Sequence, residues 1–145
     1  MTLEPPVSRA LNVLLIEDSL MDVNLIRTAL TRSEYQTNLT VFDNGEKALD
    51  SLHHSADKGV VPDMIISDLN LIGLDGWDVL RACKTSPYLG SIPIVVFTST
   101  MMVEEISLCY ALGANQVVTK PGGLTDFLKA VQDIENWARR TLHLS

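Results

Sequence analysis

Five short apolar runs alternate along this chain with five stretches of helical periodicity, and that alternation restricts the fold more than any other feature. The runs are NVLLI (12–16), TNLTVF (37–42), DMIIS (63–67), IPIVVFTS (92–99) and NQVVT (115–119). They are followed in turn by SLMDVNLIRTALTR (19–32), DNGEKALDSLHHSA (43–56), DGWDVLRACKTS (75–86), VEEISLCYALG (103–113) and LTDFLKAVQDIENWARRTL (124–142). Leu20, Val23, Ile26 and Leu30 recur at helical spacing in the first of these, with Ser19 placed to cap it. Leu124, Phe127, Leu128, Val131, Ile134 and Ala138 form the buried stripe expected of the last. Pro87 halts the third helix, Gly113 ends the fourth, and Lys120–Pro121–Gly122–Gly123 breaks the chain before the fifth. The first, third and fourth runs are apolar on both faces, as a parallel sheet covered by helices on both sides requires. The second alternates and predicts a more exposed strand. With right-handed crossovers, the expected fold is α/β: a doubly wound, flavodoxin-like sheet of five parallel strands in the order 2-1-3-4-5.

The rest of the chain narrows its setting. A length of 145 residues is one domain's worth, read as a single domain over 1–145 with an extension at 1–10 and no output domain. A formal charge of −7 and the lack of any Lys/Arg run argue against nucleic acid as a partner. No apolar stretch approaches the roughly 20 residues that span a bilayer. The opening MTLEPPVSRA lacks the apolar segment of a secretory signal. Cys83 and Cys109 have no metal or redox spacing and read as buried free thiols of a cytoplasmic protein.

In doubly wound sheets the ligand site lies beyond the carboxyl ends of the strands. The residues there are Glu17 and Asp18 after the first strand, Asp68 after the third, Thr98 after the fourth and Lys120 after the fifth. An unpaired carboxylate at the edge of a core is costly, so Asp68 needs a counter-charge or a metal. If strands 1 and 3 are neighbours, three carboxylates share one crevice. At an effective dielectric of about 20, each pair held near 4 Å repels by roughly 4 kcal/mol. Such a cluster protonates or recruits a cation. Oxygen ligands of this hardness suit Mg²⁺, with Mn²⁺ as a substitute, and the lack of a nearby thiol or imidazole disfavours zinc. Lys120 supplies a charge that holds Asp68 ionised and balances a phosphoryl oxygen, and Thr98 supplies a hydroxyl donor. An aspartate so placed is a phosphoryl acceptor. Taken singly, a Glu–Asp pair is an ordinary loop, Thr98 an ordinary strand residue and Lys120 an ordinary surface lysine; only the combination is informative.

VLLIEDS (13–19), PDMIISDLNLIGLDGWDVL (62–80), IPIVVFTS (92–99) and VVTKP (117–121), in that order, resemble the receiver domain of two-component response regulators over about residues 12–142. The resemblance implies that Asp68 takes a phosphoryl group from a phosphohistidine of a sensor histidine kinase or His-phosphotransfer protein. It implies that Asp18 and Asp68 ligate Mg²⁺ directly, Glu17 through water, and Asn70 by its backbone carbonyl. Thr98 and Lys120 would contact the phosphoryl group, and Lys120–Pro121 would be a cis peptide. Such a protein assists its own phosphorylation and dephosphorylation but is not an enzyme in the ordinary sense. The DSLMDVNLIRTAL opening and the IENWARRTL end resemble the group that partners bacterial phytochrome kinases. Members of that group form homodimers through helix 4, strand 5 and helix 5, which makes Val117 and Trp137 the expected interface residues, sharing an exposed apolar patch.

Two features depart from the family pattern. Val117 stands where the family often has Tyr or Phe, so an aromatic rotamer switch is not available there. Signalling is then expected to run through the loop after Thr98 and helix 4, or through assembly. Gly122–Gly123 replaces a common apolar residue and should loosen the start of the last helix. Elsewhere the bland readings hold: His53, His54 and His143 solvated, Met101 and Met102 in helix-4 packing or loop contacts, Trp77 packing near the site. Three competing functions are weaker. An aspartyl phosphatase wants a D-x-D at the first strand, where this chain has EDS. A flavin carrier wants a hydroxyl- and glycine-rich cradle, and Glu17–Asp18 would repel the flavin phosphate. A phosphorylation-independent binding module has no need of the intact acid, threonine and lysine set.

Overall fold

A computed structural model describes residues 9–71 and 75–144. Most of the expected extension (1–8), the centre of the second motif (72–74) and residue 145 lie outside the described residues. The elements are β1 (Leu11–Ile16), α1 (Leu20–Thr31), β2 (Thr37–Phe42), α2 (Gly45–Asp57), β3 (Met64–Ser67), α3 (Gly76–Thr85), β4 (Ile94–Thr98), α4 (Val103–Ala111), β5 (Gln116–Thr119) and α5 (Leu124–Thr141). The strands form one parallel sheet in the order β2-β1-β3-β4-β5, as expected from the alternation.

Period-two alternation on each strand divides the core into two layers. Leu11, Val13, Leu15, Met64, Ile66, Val95 and Phe97 pack against α1 and α5. Leu14, Ile16, Ile65, Ile94 and Val96 pack against α2, α3 and α4. Local chemistry sets the helix starts: Ser19, Asn44 and Asp75 each accept a backbone N–H three residues on. Gly113, just past α4, adopts φ 109°, the left-handed conformation that stops a helix there. At the end of α5 the same device uses His143 (φ 56°), while the Leu144 N–H donates to the Arg139 carbonyl at 2.7 Å and the Leu144 side chain buries against the core. Cys83 and Cys109 are buried free thiols. Among the described residues, no helix is long and apolar enough to cross a membrane.

Two expectations need correction, and one feature was not expected. Leu20 and Leu124 are 74% and 60% exposed. Each is the first residue of its helix, where the apolar stripe has run past the end of the sheet. Conversely, Glu135 and Arg139 of α5 are buried. Glu135 accepts from the Thr37 hydroxyl, and Arg139 stacks 4.5 Å over the Tyr35 ring and donates to the Arg9 and Gln36 carbonyls. Finally, no peptide bond among the described residues is cis, so Lys120–Pro121 is trans. Trans is the lower form of an X–Pro bond by about 0.5–1 kcal/mol, and the Lys120 side chain reaches the site with it.

Candidate functional site

The β1–β3 pairing puts Ile16 opposite Ser67, so Glu17 and Asp68 leave neighbouring strands side by side; the Asp68 N–H donates to the Ile16 carbonyl at 3.1 Å. On the other flank Thr98 pairs with Thr119, and the Lys120 N–H donates to the Thr98 carbonyl at 2.7 Å. Four strand residues thus meet at one crevice where the order reverses, the position at which open α/β sheets bind ligands. The Lys120 ammonium sits at its centre. It donates to Asp68 Oδ2 at 2.8 Å, to Asp22 Oδ2 at 2.8 Å and to Glu17 Oε1. The other oxygen of Asp68, Oδ1, accepts the backbone N–H groups of Leu69 at 2.7 Å and Asn70 at 3.3 Å. Its carboxylate is therefore fixed in rotation by a cation on one oxygen and main-chain dipoles on the other.

Three carboxylates around one ammonium leave the crevice negative. Burial pushes the Glu17 carboxyl up to about 7, in spite of its bond to Lys120. Burial also acts to raise Asp68, but the bond and charge of Lys120 outweigh it and hold that carboxyl below its ordinary value. For Lys120 the sense reverses: burial acts to lower it, and the three carboxylates raise it. So Lys120 holds Asp68 ionised, while burial makes Glu17 the more readily protonated of the two carboxylates. Two buried oxygens make no aligned hydrogen bond, Glu17 Oε2 and Thr98 Oγ1. The Thr98 hydroxyl still lies near enough to Asp68 to favour its charged form.

Residues 13–132 match the profile of the response regulator receiver domain. The chain belongs to that family. It is 34% identical over 134 residues to response regulator Rcp1 of Synechocystis, covering 91% of each chain. Its fold superposes with a TM-score of 0.85 on the phosphorylated cyanobacterial phytochrome response regulator RcpA, at 30% identity over 92% of this chain and 96% of that one. It superposes with a TM-score of 0.83 on the Mn²⁺-bound form of Rcp1, at 33% identity over 92% and 98%.

In this receiver, Glu17, Asp68, Thr98 and Lys120 come together as their strand-end positions required. Asp18 is half-buried beside them, and Asn70 is exposed with its N–H on Asp68. Asp22 was not anticipated from the sequence. The available signal was an acid in the first turn of α1, four residues after Asp18, but such acids commonly serve only the helix dipole. The outlying residues divide. His53, His54 and His143 are exposed, and Trp77 packs at the edge of the α3 core layer. Met101 and Met102 are 80% and 57% exposed, so their packing against helix 4 is corrected: they precede a helix whose one buried residue is Cys109. Val117 and Trp137 do not share an apolar patch. They pack on opposite faces of the sheet, Val117 with the α4 layer and Trp137 with the α5 layer, because successive strand residues alternate. Val118, with Gln116 and Val95, lines a cleft of about 260 Å³ beside Trp137.

Receiver domains generally bind Mg²⁺, and the donor set here fits such an ion. Among the described residues no group of three or more acidic, imidazole or thiol side chains is placed to hold a metal ion by itself. Mg²⁺ needs none, since it keeps several waters and takes one or two carboxylates. The partnerless, buried Oε2 of Glu17 is a free hard oxygen in the crevice. Glu17, Asp18 and Asp68, with the Asn70 carbonyl, are the residues that would hold the ion.

Proposed function

We propose that this receiver takes a phosphoryl group from the phosphohistidine of a sensor histidine kinase, or of a His-phosphotransfer protein, onto Asp68. The observation that carries the reading is the fixed Asp68 carboxylate, with Oδ2 on Lys120 and Oδ1 on two main-chain N–H groups. A carboxylate oxygen of Asp68 attacks phosphorus, the P–N bond breaks, and its electron pair returns to the imidazole. Lys120 balances charge on the transferred oxygens, and the Thr98 hydroxyl, which has no aligned partner of its own, donates to one of them. Asp18, Asp68 and the Asn70 carbonyl, with Glu17 through water, would hold Mg²⁺ or Mn²⁺, and the ion would supply further charge neutralisation. The protein assists its own phosphorylation and dephosphorylation and has no other catalytic role.

The similarity to Rcp1 and RcpA supports a phytochrome-type kinase as the donor. Exposed Leu20, Met21 and Leu124 beside the crevice provide an apolar rim for that kinase. The receiver acts as one cytoplasmic domain over 1–145, its extension at 1–10 included. Its net charge of −7 leaves nucleic acid and membrane out of its partners. It pairs as a homodimer across α4, β5 and α5, with Val117 and Trp137 flanking the β5 edge from opposite sides. Incubation with acetyl phosphate and Mg²⁺, followed by intact mass, tests the acceptor: one phosphoryl adduct is expected, and Asp68→Asn removes it. No adduct, or one that survives the substitution, overturns the reading. Light scattering tests the dimer, and a strict monomer at high concentration refutes it.

A further inference from the structure

An ammonium group has three N–H donors. Those of Lys120 are matched by three carboxylates, on Glu17, Asp22 and Asp68. Resting on the acceptor reading above, transfer places a phosphoryl group at Asp68 that also calls on this ammonium, so one carboxylate bond has to yield. The three partners are not equal. Asp68 stays covalently joined to the arriving group. Glu17 is 2% exposed and lies on the residue that directly follows β1, with its N–H fixed to the Phe42 carbonyl at 3.0 Å. Asp22 is on helix α1, its side chain 17% exposed, and it lines an open cleft of about 460 Å³ with Met21, Leu25, Leu124 and Phe127. A carboxylate at the wall of a solvent-open cleft is rehydrated at low cost, whereas one buried like Glu17 is not.

We infer that Asp22 is a positioning residue that restrains Lys120, ties α1 to the β5–α5 loop in the unphosphorylated state, and releases the ammonium when Asp68 is phosphorylated. This gives the chain a route for the signal that needs no aromatic side chain at Val117. The bond given up joins α1 to Lys120, so the surface that reports phosphorylation is the α1 side of the cleft, where Met21 is exposed.

The test uses phosphoramidate as donor: an Asp68 oxygen bonds to phosphorus, the P–N bond breaks, and its electron pair leaves on nitrogen, which takes a proton from water as ammonia departs. With Mg²⁺ present, wild type, Asp22→Asn and Asp22→Glu are compared by intact mass against time. Asp22→Asn removes one negative charge and leaves Lys120 at most a weaker, neutral amide acceptor there, while Glu17 and Asp68 still aim the ammonium. A three- to tenfold faster phosphorylation of Asp22→Asn is expected, with Asp22→Glu within about twofold of wild type. A rate for Asp22→Asn equal to or below that of wild type overturns the inference. Because a role confined to helix stability would leave Lys120 untouched, its Nζ protons are followed by ¹⁵N NMR in the unphosphorylated proteins. They should exchange with water faster in Asp22→Asn and at the wild-type rate in Asp22→Glu; unchanged exchange in the Asn variant also overturns it. If wild type takes no phosphoryl group, the acceptor reading fails and the inference with it. If wild type is phosphorylated and Asp22→Asn behaves identically, only the role of Asp22 falls.

Discussion

Gly76 rests directly on the peptide that follows Asp68: a Cβ at position 76 would lie 2.1 Å from the Asp68 carbonyl oxygen and 2.6 Å from Leu69 Cα. The Gly76 N–H also donates to the Leu69 carbonyl at 3.0 Å. The first residue of α3 thereby seats the segment whose N–H groups hold the Asp68 carboxylate. Those contacts are with backbone, which has no flexible end to move aside.

Gly76→Ala should therefore disturb both stability and chemistry. Overpacking of this kind costs about 1–3 kcal/mol, read as a lower urea midpoint at unchanged slope. Phosphorylation of Asp68 by acetyl phosphate should fall about tenfold or more, since a small misplacement of a reacting group has effects of that order. An alanine variant with wild-type stability and wild-type rate would show that the segment adapts freely and does not position Asp68.

Glu17 gives the apo protein an unusual pH dependence. Its folded-state value of about 7 lies above the ordinary 4.5, so the folded state binds the extra proton between those values. Stability from this group is thus present at the acid end of the window and lost as pH rises from about 4.5 through 7. Asp68, held low, acts only below the ordinary carboxylate range, and Lys120, held high, acts only above its ordinary value. Denaturant unfolding in chelator at pH 5 and pH 7.5 should show wild type losing stability over the interval and Glu17→Gln losing less. Parallel curves for the two proteins would refute the assignment.

Added Mg²⁺ should raise the melting temperature in proportion to the logarithm of its concentration once the site fills, because it binds the folded state alone. At a hundred times its dissociation constant the gain is about 2.7 kcal/mol. Asp18→Asn and Asp68→Asn should each remove most of that gain. A shift equal in wild type and both variants would assign it to nonspecific screening.

The legible and illegible parts of this chain separate by the range of the interactions involved. Strand runs such as Ile65–Ile66 and Ile94–Phe97 declare themselves because both faces must be apolar, and right-handed crossovers then narrow the doubly wound sheet to a few orders, of which 2-1-3-4-5 is the one adopted. Glu17, Asp68, Thr98 and Lys120 were readable for the same reason, as they stand at strand ends whose position the fold dictates. Asp22 was not, because a first-turn acid on a helix has an adequate local role and its bond to Lys120 spans 98 residues. The burial of Glu135 and Arg139 was not legible, because charge on a helix normally marks the solvent side and the groups that satisfy them belong to β2 and the segments before β1 and β2. The Leu20 and Leu124 stripes ran one residue too far because periodicity carries no information on where the sheet stops.

Glu135→Ala should cost about 1 kcal/mol, the net worth of the hydrogen bond that its carboxylate takes from the half-buried Thr37 hydroxyl. The double change Thr37→Val with Glu135→Ala removes donor and acceptor together and should cost less than the sum of the two single changes. A double-mutant cycle from urea unfolding measures the coupling. A coupling energy of zero would mean that Glu135 is tolerated in the core without this bond.

Asp63 fixes the start of the sheet to the segment before it, and its pH dependence has the opposite sign to that of Glu17. It accepts two hydrogen bonds from the Arg9 guanidinium, at 2.7 and 2.8 Å, and one from the Asn12 N–H at 2.8 Å. Burial acts to raise this carboxyl, but Arg9 and the Asn12 N–H outweigh it and hold it below the ordinary value of 3.8. Its stabilisation is then fully present above about pH 4 and lost as pH falls through the lower folded-state value. Arg9 is 43% exposed, so solvent screens the ion pair and the charge itself contributes little. Asp63→Asn should lower stability by about 1 kcal/mol at neutral pH, mostly through the hydrogen bonds that weaken with the charge. The difference from wild type should close as pH drops below about 3, followed by urea midpoints in low and high salt. A gap that persists unchanged in acid would place the effect in packing and not in the ionised carboxylate.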